Sequence, residues 1–337
     1  MINNMRETIE KAAEAIKGGG IVGIPTETVY GLGANAFNGD AVSAIFAAKG
    51  RPQDNPLIVH VDGVIMARQL GIFNKNAEAL AKSFWPGPLT LVVKSTGAVP
   101  SVVNCGLETI ALRMPDCDIA LSLISAAGVP IAAPSANKSG SPSPTSAAHV
   151  QKDFGNQFLI IDGGECDIGI ESTVIDITSS IPVILRPGAV TKDMIESSIG
   201  AVQSVNALEP NTHKSPASPG MKYRHYAPLA RVTVVEGDAS STIEAIKYLY
   251  DKTMKKGGNP LVMASRENKR HYGQRDVLIT GGKDNAAETA KNLYSLLRKA
   301  DDMSYTHIYF EAVPKAGVGY AVMNRIYKAA AYNIVKV

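Results

Sequence analysis

Cysteine is scarce in this chain. There are three among 337 residues, Cys105, Cys117 and Cys166, an odd number with no C-x-x-C pair. That argues against a disulfide framework and a cysteine-rich zinc site, and it suits reduced thiols. Charge of one sign is equally thin: 34 Lys and Arg stand against 31 Asp and Glu. A net charge of +3 gives no compositional sign of a nucleic-acid partner, so any electrostatic site must come from local cation placement. Seven Phe and one Trp are too few to suggest a base-stacking platform. No apolar run is long enough to span a bilayer, and the opening MINNMRETIEKAAEAIK reads as an amphipathic helix rather than a signal peptide. No membrane is therefore expected, and the cytoplasm is the default compartment. Several catalytic signatures are missing as well: no H-E-x-x-H, no G-x-x-x-x-G-K-[ST], and no visible Ser/His/Asp or Cys/His constellation. The expected chemistry is positioning and electrostatic stabilisation rather than a covalent enzyme intermediate.

What is present is an ordinary globular composition, 45% hydrophobic and 19% charged, over a length that suits two domains. In residues 1–200 the periodicity predicts helices over about 1–17, 40–49, 77–85, 119–127 and 192–199, and one capped by Thr145 that runs to about Asp153. Strands are predicted over 21–24, 57–61, 89–93, 109–112, 129–132, 158–161, 173–177 and 183–185. Strands outnumber helices and do not alternate with them one to one, which favours a mixed twisted sheet with flanking helices. Residues 201–228 are rich in Ser, Pro, Asn and Ala and read as a linker, although its end, SPGMKYRHYAP, holds cations and tyrosines that no plain linker needs. Residues 229–337 then alternate strand and helix, as in a smaller three-layer α/β domain with a mostly parallel, Rossmann-like sheet. Within it, Gly317-Val318-Gly319 precedes a helix and reads either as a helix-entry turn or as an anion contact.

Three separated segments carry chemistry. Lys49-Gly50-Arg51-Pro52-Gln53-Asp54-Asn55-Pro56 ends a helix and delivers two cations at a proline-stiffened loop. Alone it would pass for a solvated helix end, but Arg51 can offer a planar fork to phosphate oxygens. Residues 134–143 place Ser135, Asn137, Ser139, Ser141 and Ser143 after an apolar strand, a composition that lets backbone N–H groups approach an anion. Upstream, Pro25-Thr26-Glu27-Thr28-Val29-Tyr30-Gly31-Leu32-Gly33 is a strand-and-turn motif with one carboxylate. Arg113 and Arg186 each follow an apolar strand, and cations at several strand ends suggest one cationic hollow that holds a polyphosphate and a carboxylate together. His60 lies inside an apolar strand, where a histidine is more often structural than catalytic.

These motifs resemble a known family. PTETVYGLG, KGRPQDNPLIVHV, FWPGPLTLV, ALRMP, PIAAPSANKSGSPSPT, ESTVID and LRPG occur in the order found in the YrdC-like domain of the threonylcarbamoyl-AMP synthases. SPGMKYRHYAP and the remainder are similar to the linker and C-terminal domain of the long, two-domain form. The resemblance implies conversion of ATP, L-threonine and bicarbonate to L-threonylcarbamoyl-AMP and pyrophosphate, with Mg²⁺ accompanying ATP. The product would pass to a tRNA threonylcarbamoyl transferase that completes N6-threonylcarbamoyladenosine at position 37. By motif position it implies catalytic roles for Lys49, Arg51 and Ser135. Threonine contacts fall on Thr28, His60, Arg113, Ala133 and Ser172, with Thr173 an alternative to Ser172. ATP contacts fall on Arg51, Asn55, Thr109, Ser135, Asn137, Ser143, Arg186, Tyr223 and Tyr226, the two tyrosines on a lid formed by residues 218–228. A weak tRNA contact, an RNA-binding module and a different ATP-dependent carbamoylation stay open as alternatives.

Overall fold

The computed structural model describes residues 2–209 and 226–337. The chain divides into two compact units, the first from residues up to 207, the second mainly from residues beyond the linker.

The first unit runs α1 (Ile2–Lys17), β1 (Val22–Ile24), β2 (Gly31–Asn35), α2 (Gly39–Lys49), β3 (Ile58–His60), α3 (Val64–Leu70), β4 (Gly71–Ile72) and α4 (Lys75–Phe84). It continues through β5 (Leu89–Ser95), α5 (Ser101–Asn104), β6 (Thr109–Arg113), α6 (Asp118–Ala127), β7 (Ile131–Ala132), α7 (Ala147–Phe154) and β8 (Leu159–Ile160). β9 (Thr173–Asp176), β10 (Val183–Arg186), α8 (Lys192–Ile199) and β11 (Gln203–Ser204) complete it. The strands form a mixed sheet in the order β11-β10-β9-β5-β6-β3-β7-β2-β1-β8, with β4 on β5.

Side chains alternate across a strand, and here the alternation sorts structure from function. Val59, Leu91, Val93, Ile110, Leu112, Ile175 and Ile184 face the main core, shared with Ile45 and Phe46 of α2 and Leu80 of α4. The intervening Ile58, Val92, Ala111 and Val174 form a small separate cluster with Leu185 on the opposite face. The same two-residue step carries Thr90, His60 and Arg113 onto that second face. A bulge helps: β10 pairs Ile184 with Ile175 and then Arg186 with Val174, so Leu185 and Arg186 together oppose one residue of β9. A further core joins the apolar stripe of α1 (Ala12, Ala13, Ile16) to Leu123, Ile124 and Ala127 of α6.

The mixed sheet with flanking helices is as the patterning indicated, but several elements differ. Residues 31–35 form a strand where a glycine-rich turn was expected. Gly33 is needed there because a Cβ would sit 2.8 Å from the Ile131 side chain, which packs directly on the strand's backbone. α7 starts one residue later than predicted, since Ser146 rather than Thr145 caps it by accepting from His149 N. α3, β4, α5, β11 and the last strand of the chain were not anticipated, being short elements whose pairing depends on distant neighbours.

The second unit contains β12 (Arg231–Glu236), α9 (Ala239–Lys255), β13 (Pro260–Ser265), a 3₁₀ turn at Lys269–Tyr272, β14 (Val277–Gly281) and α10 (Ala286–Asp302). β15 (His307–Glu311), α11 (Val318–Ala329) and β16 (Ile334–Lys336) follow. Its five strands lie in the order β14-β13-β15-β12-β16 with every pair parallel. Val235, Val262, Ala264 and Tyr309 pack on Ile243, Ile246 and Tyr250 of α9. Val234, Leu261, Met263 and Phe310 are buried at the alternate positions of the same strands. A parallel sheet buried on both faces matches the expected three-layer form.

Candidate active site

The three motif segments, distant in sequence, are bonded to one another. Tyr30 N donates to Pro144 O at 2.9 Å, Leu32 N to Pro134 O at 2.9 Å, and Ala136 N to Tyr30 O at 2.8 Å, tying the PTETVYGLG segment to the serine loop. The loop is tied in turn to the end of α2. The buried Lys49 ammonium donates to Ser135 O, and to Asn137 O at 2.6 Å, while Ser139 N donates to Lys49 O at 3.0 Å. In this structure Lys49 therefore shapes the serine loop, with its charge directed at loop carbonyls. Within the loop, Ser135 Oγ donates to Asn137 Oδ1 at 2.6 Å, and Asn137 Nδ2 to Lys138 O at 2.8 Å.

α2 ends where Gly50 turns left-handed (φ 61°, ψ 38°) and donates back to Ala47 O and Phe46 O. The chain leaves α2 at Arg51, whose guanidinium lies 5.7 Å from the Phe46 ring centroid and donates to Asn55 O at 3.0 Å. Asn55 is fully buried.

Arg113, at the end of β6, is the hub of the other half. It is buried, forms an ion pair with Glu27 Oε2 at 2.5 Å, and donates to Thr28 Oγ1 at 2.9 Å and Gly87 O at 3.2 Å. The contact with Glu27 is an ion pair rather than an aligned hydrogen bond. Both Glu27 oxygens are left without a hydrogen-bond donor among the described residues. Thr28 Oγ1 also shares a hydrogen bond with Thr26 Oγ1 at 2.9 Å. His60 pairs in register with Arg113 across β3 and β6. Burial, and then the Arg113 charge, hold its pKa down at about 3, so the ring is neutral at physiological pH. Its Nδ1 is buried without a hydrogen-bond partner among the described residues.

Ser172 and Arg186 meet on the same face of the sheet. Arg186 donates to Ser172 O at 3.0 Å and to Ser172 Oγ at 3.1 Å, and Ser172 Oγ shares a hydrogen bond with Thr90 at 2.7 Å. The Thr173 hydroxyl is turned away, donating to Val190 O at 2.6 Å. That geometry favours Ser172 over Thr173 as a group available to the site. Ala133 is buried and held by Ile58 O, to which its N–H donates at 3.0 Å. Ser143 Oγ donates to Glu171 at 2.6 Å. Thr109 begins β6, four steps before Arg113, and four strand steps are roughly 13 Å. The residues expected to touch threonine thus gather at one end of the β3–β6 pair, with Asn55 and Thr109 toward the other. The apolar cluster of Ile58, Val92, Ala111, Val174 and Leu185 lies on the sheet face between them.

Two expected contacts stand apart. Tyr223 lies outside the described residues. Tyr226 is buried in the second unit, its ring 5.4 Å from that of Tyr294 and 5.9 Å from the Arg325 guanidinium, so here it packs rather than presenting itself to a nucleotide. Conversely, Glu27 and Glu171 were not assigned roles from sequence. The available signal was that Glu27 is the single carboxylate of its motif and that Glu171 directly precedes Ser172. Neither Cys117 nor Cys166 is placed as a nucleophile, because burial pushes both thiols up, Cys166 to about 12.

Comparison with known proteins fits this arrangement. A family model described as "Telomere recombination" matches residues 14–188, and one described as "Threonylcarbamoyl-AMP synthase, C-terminal domain" matches residues 190–331. The chain is 47% identical to the threonylcarbamoyl-AMP synthase of Pyrococcus abyssi, over 100% of this chain and 99% of that one. It belongs to the threonylcarbamoyl-AMP synthase family. A second member, from Bacillus subtilis, is 44% identical over 97% of this chain and 94% of its own. A crystal structure of P. abyssi Sua5 complexed with L-threonine superposes with a TM-score of 0.93 at 48% identity, covering 98% of this chain and 96% of that one. Family membership therefore extends over both units, and the bonded motif segments of the first unit are the ones the resemblance singled out.

Proposed function

We infer that this chain is an L-threonylcarbamoyladenylate synthase, converting ATP, L-threonine and bicarbonate to threonylcarbamoyl-AMP and pyrophosphate. The observation that carries the reading is the constellation around Arg113. A buried guanidinium, a threonine hydroxyl and a neutral histidine form a polar end on the sheet face that also holds an apolar patch. Arg113 takes the α-carboxylate of threonine, shared with or exchanged for Glu27. The neutral His60 ring and Thr28 supply hydrogen bonds to the bound amino acid without adding charge.

The unprotonated amine of threonine attacks carbon dioxide and releases a proton to solvent, or attacks bicarbonate and expels water, forming a carbamate in either case. One carbamate oxygen then attacks the α-phosphorus in line, and the bond to the bridging oxygen breaks as pyrophosphate leaves. Both steps bring anions together, so the protein's part is to place them and offset charge. Arg51 faces the polyphosphate, the serine loop held by Lys49 cradles phosphate oxygens, and Arg186 steadies Ser172. The cluster of Ile58, Val92 and Ala111 suits the adenine face. ATP would enter as its magnesium complex, the ion offsetting phosphate charge. Among the described residues no group of three or more His, Cys, Asp or Glu side chains is placed to hold a metal.

Hydrolysis makes the mixed anhydride short-lived, which requires an acceptor enzyme downstream: a transferase that moves the threonylcarbamoyl group to tRNA. The three free cysteines suit a reducing compartment such as the cytoplasm, and no helix among the described residues is long and apolar enough to cross a membrane. Pyrophosphate release from ATP, measured with and without L-threonine and bicarbonate, tests the reading. Release is expected to require both and to be lost in Arg51→Ala. Release that ignores threonine would overturn it in favour of another carbamoylation.

A further inference from the structure

The second unit contains a cavity of about 360 Å³ that the chemistry above does not use. That volume is at the lower end of the range for small-molecule sites. Its position follows from topology. All five strands are parallel, so their C-terminal ends share one edge, and the cavity is lined by Glu236, Ser265 and Glu311, the last residues of β12, β13 and β15. The connection after β13 leads to β14, away from β15. The connection after β15 runs through α11 to β16, on the far side of β12. Connections that leave neighbouring strands in opposite directions uncover a crevice between the strand ends, where open α/β sheets take ligands.

The crevice is chemically furnished. Glu311 is 7% exposed. Its carboxylate accepts from Ser265 N at 2.9 Å, Tyr272 Oη at 2.5 Å and Asn268 Nδ2 at 3.2 Å. These donors are all neutral, and no ion pair to Glu311 occurs among the described residues. A carboxylate has about four acceptor positions, so three donors leave room for another. Burying a carboxylate without a cation costs stability that an apolar residue would not. Across the crevice, Ser265 Oγ is buried and has no hydrogen-bond partner among the described residues. At the rim, Lys283 is exposed, and Lys315 pairs with Glu236 at 3.1 Å.

We propose that this cavity binds a ribonucleoside 5′-phosphate, with the vicinal hydroxyls on Glu311 and Ser265 Oγ and the phosphate at the Lys283 rim. A carboxylate floor accepts from hydroxyls and repels phosphate, so a free phosphate makes no use of Glu311. A neutral sugar makes no use of Lys283. A metal ion finds no cluster of three ligands among the described residues. A molecule with a diol at one end and an anion at the other uses both, and the inference does not depend on the activity proposed for the first unit.

The test is methyl NMR on the full-length protein with labelled valine, where Val313 reports the cavity and Val174 the first unit. Titration with AMP is expected to shift Val313 saturably. 2′,3′-Dideoxyadenosine 5′-phosphate is expected to bind there at least about tenfold more weakly, as is AMP to Glu311→Gln, the loss of a hydrogen bond to a charged group. Lys283→Ala is expected to weaken AMP while leaving adenosine unchanged. An unmoved Val313, equal binding of the dideoxy analogue, or indifference to Lys283→Ala would each overturn the proposal. Should Glu311→Gln lose methyl dispersion, the analogue comparison in the wild type and the exposed Lys283→Ala variant decide it.

Discussion

Arg113 and Glu27 illustrate how one contact serves stability and function with opposite demands. Both are buried and lie 2.5 Å apart, so removing one leaves the other charged and alone. Such truncations cost about 3–5 kcal/mol, whereas removing both partners costs far less. Arg113→Ala is thus expected to lower unfolding stability by about that amount, and the Glu27→Ala/Arg113→Ala double variant by clearly less than the sum of the singles. Threonine-dependent pyrophosphate release is expected to stay lost in the double variant, because stability returns and the carboxylate clamp does not. Urea unfolding alongside the assay separates the two, and a double variant that regains turnover would remove Arg113 from the site. His60 gives a pH prediction with a definite sign. Its folded pKa of about 3 lies below the ordinary value of 6.5, so at intermediate pH the unfolded chain binds the proton that the folded chain refuses. Stability contributed by the neutral ring is therefore complete above about pH 6.5 and falls as pH drops toward 3, with a slope near 1.4 kcal/mol per pH unit. Chemical denaturation at pH 7 and pH 5 is expected to show about 2 kcal/mol less acid loss in His60→Gln than in the wild type. Equal acid slopes would mean that the ring is protonated in the native state.

At the scale of elements, α2 is the part whose local rules are most visibly tied to the site. Asn38 caps it by accepting from Asp40 N and Ala41 N, and Gly50 closes it in the left-handed region just before Arg51. Nothing lies within 4 Å of where a Gly50 Cβ would stand. A substitution there should therefore cost backbone conformation alone, about 1 kcal/mol for Gly50→Ala, and less for Gly50→Asn because asparagine tolerates that conformation. Thermal unfolding of the two variants checks the order, and an equal cost would show that sterics rather than φ governs the turn. α2 was legible in sequence because it obeys such local rules, with a periodic apolar face, a glycine stop and a cation at its end. The loops proposed to bind anions stood out for a different reason. Ser135, Asn137 and Arg51 are ordinary loop residues one at a time, and what marked them was their place in ordered motifs beside apolar strands and proline-stiffened turns. What sequence could not disclose depended on register. β2 looked like a turn because Gly31 and Gly33 weaken strand propensity, and only the approach of Ala133 to the first and of Ile131 to the second accounts for them. The engagement of Lys49 with the serine loop, the pairing of Glu27 with Arg113 and the packing of Tyr226 on Tyr294 join residues far apart in the chain, and no local pattern encodes them. The bulge that brings Leu185 and Arg186 to the same face is likewise a property of the β9–β10 pair, not of either strand alone.

For the whole molecule, the relevant fact is that each unit has its own buried core. Residues of β3, β5, β6, α2 and α4 close one, and residues of β12, β13, β15 and α9 close another. Units that bury their own apolar surface can unfold as separate cooperative steps, and a ligand raises only the step of the unit it binds. The sequence supplies an internal probe for this, since the chain has one Trp. Trp85 belongs to the first unit's core, its indole N–H donating to Leu89 O at 2.7 Å. Its fluorescence therefore follows that unit alone, while far-ultraviolet circular dichroism follows both. In urea, ATP with L-threonine at about one hundred times the dissociation constant adds about 2.7 kcal/mol to the state that binds it. The Trp85 midpoint is expected to rise accordingly, while the part of the dichroism transition that Trp85 does not report stays in place. Should both probes move together as one coincident transition, the two cores would form a single cooperative system. If the site proposed in the second unit is occupied by AMP, the converse holds, with the dichroism-only step rising by an amount that Glu311→Gln reduces, by about 1.3 kcal/mol for a tenfold weaker site near saturation.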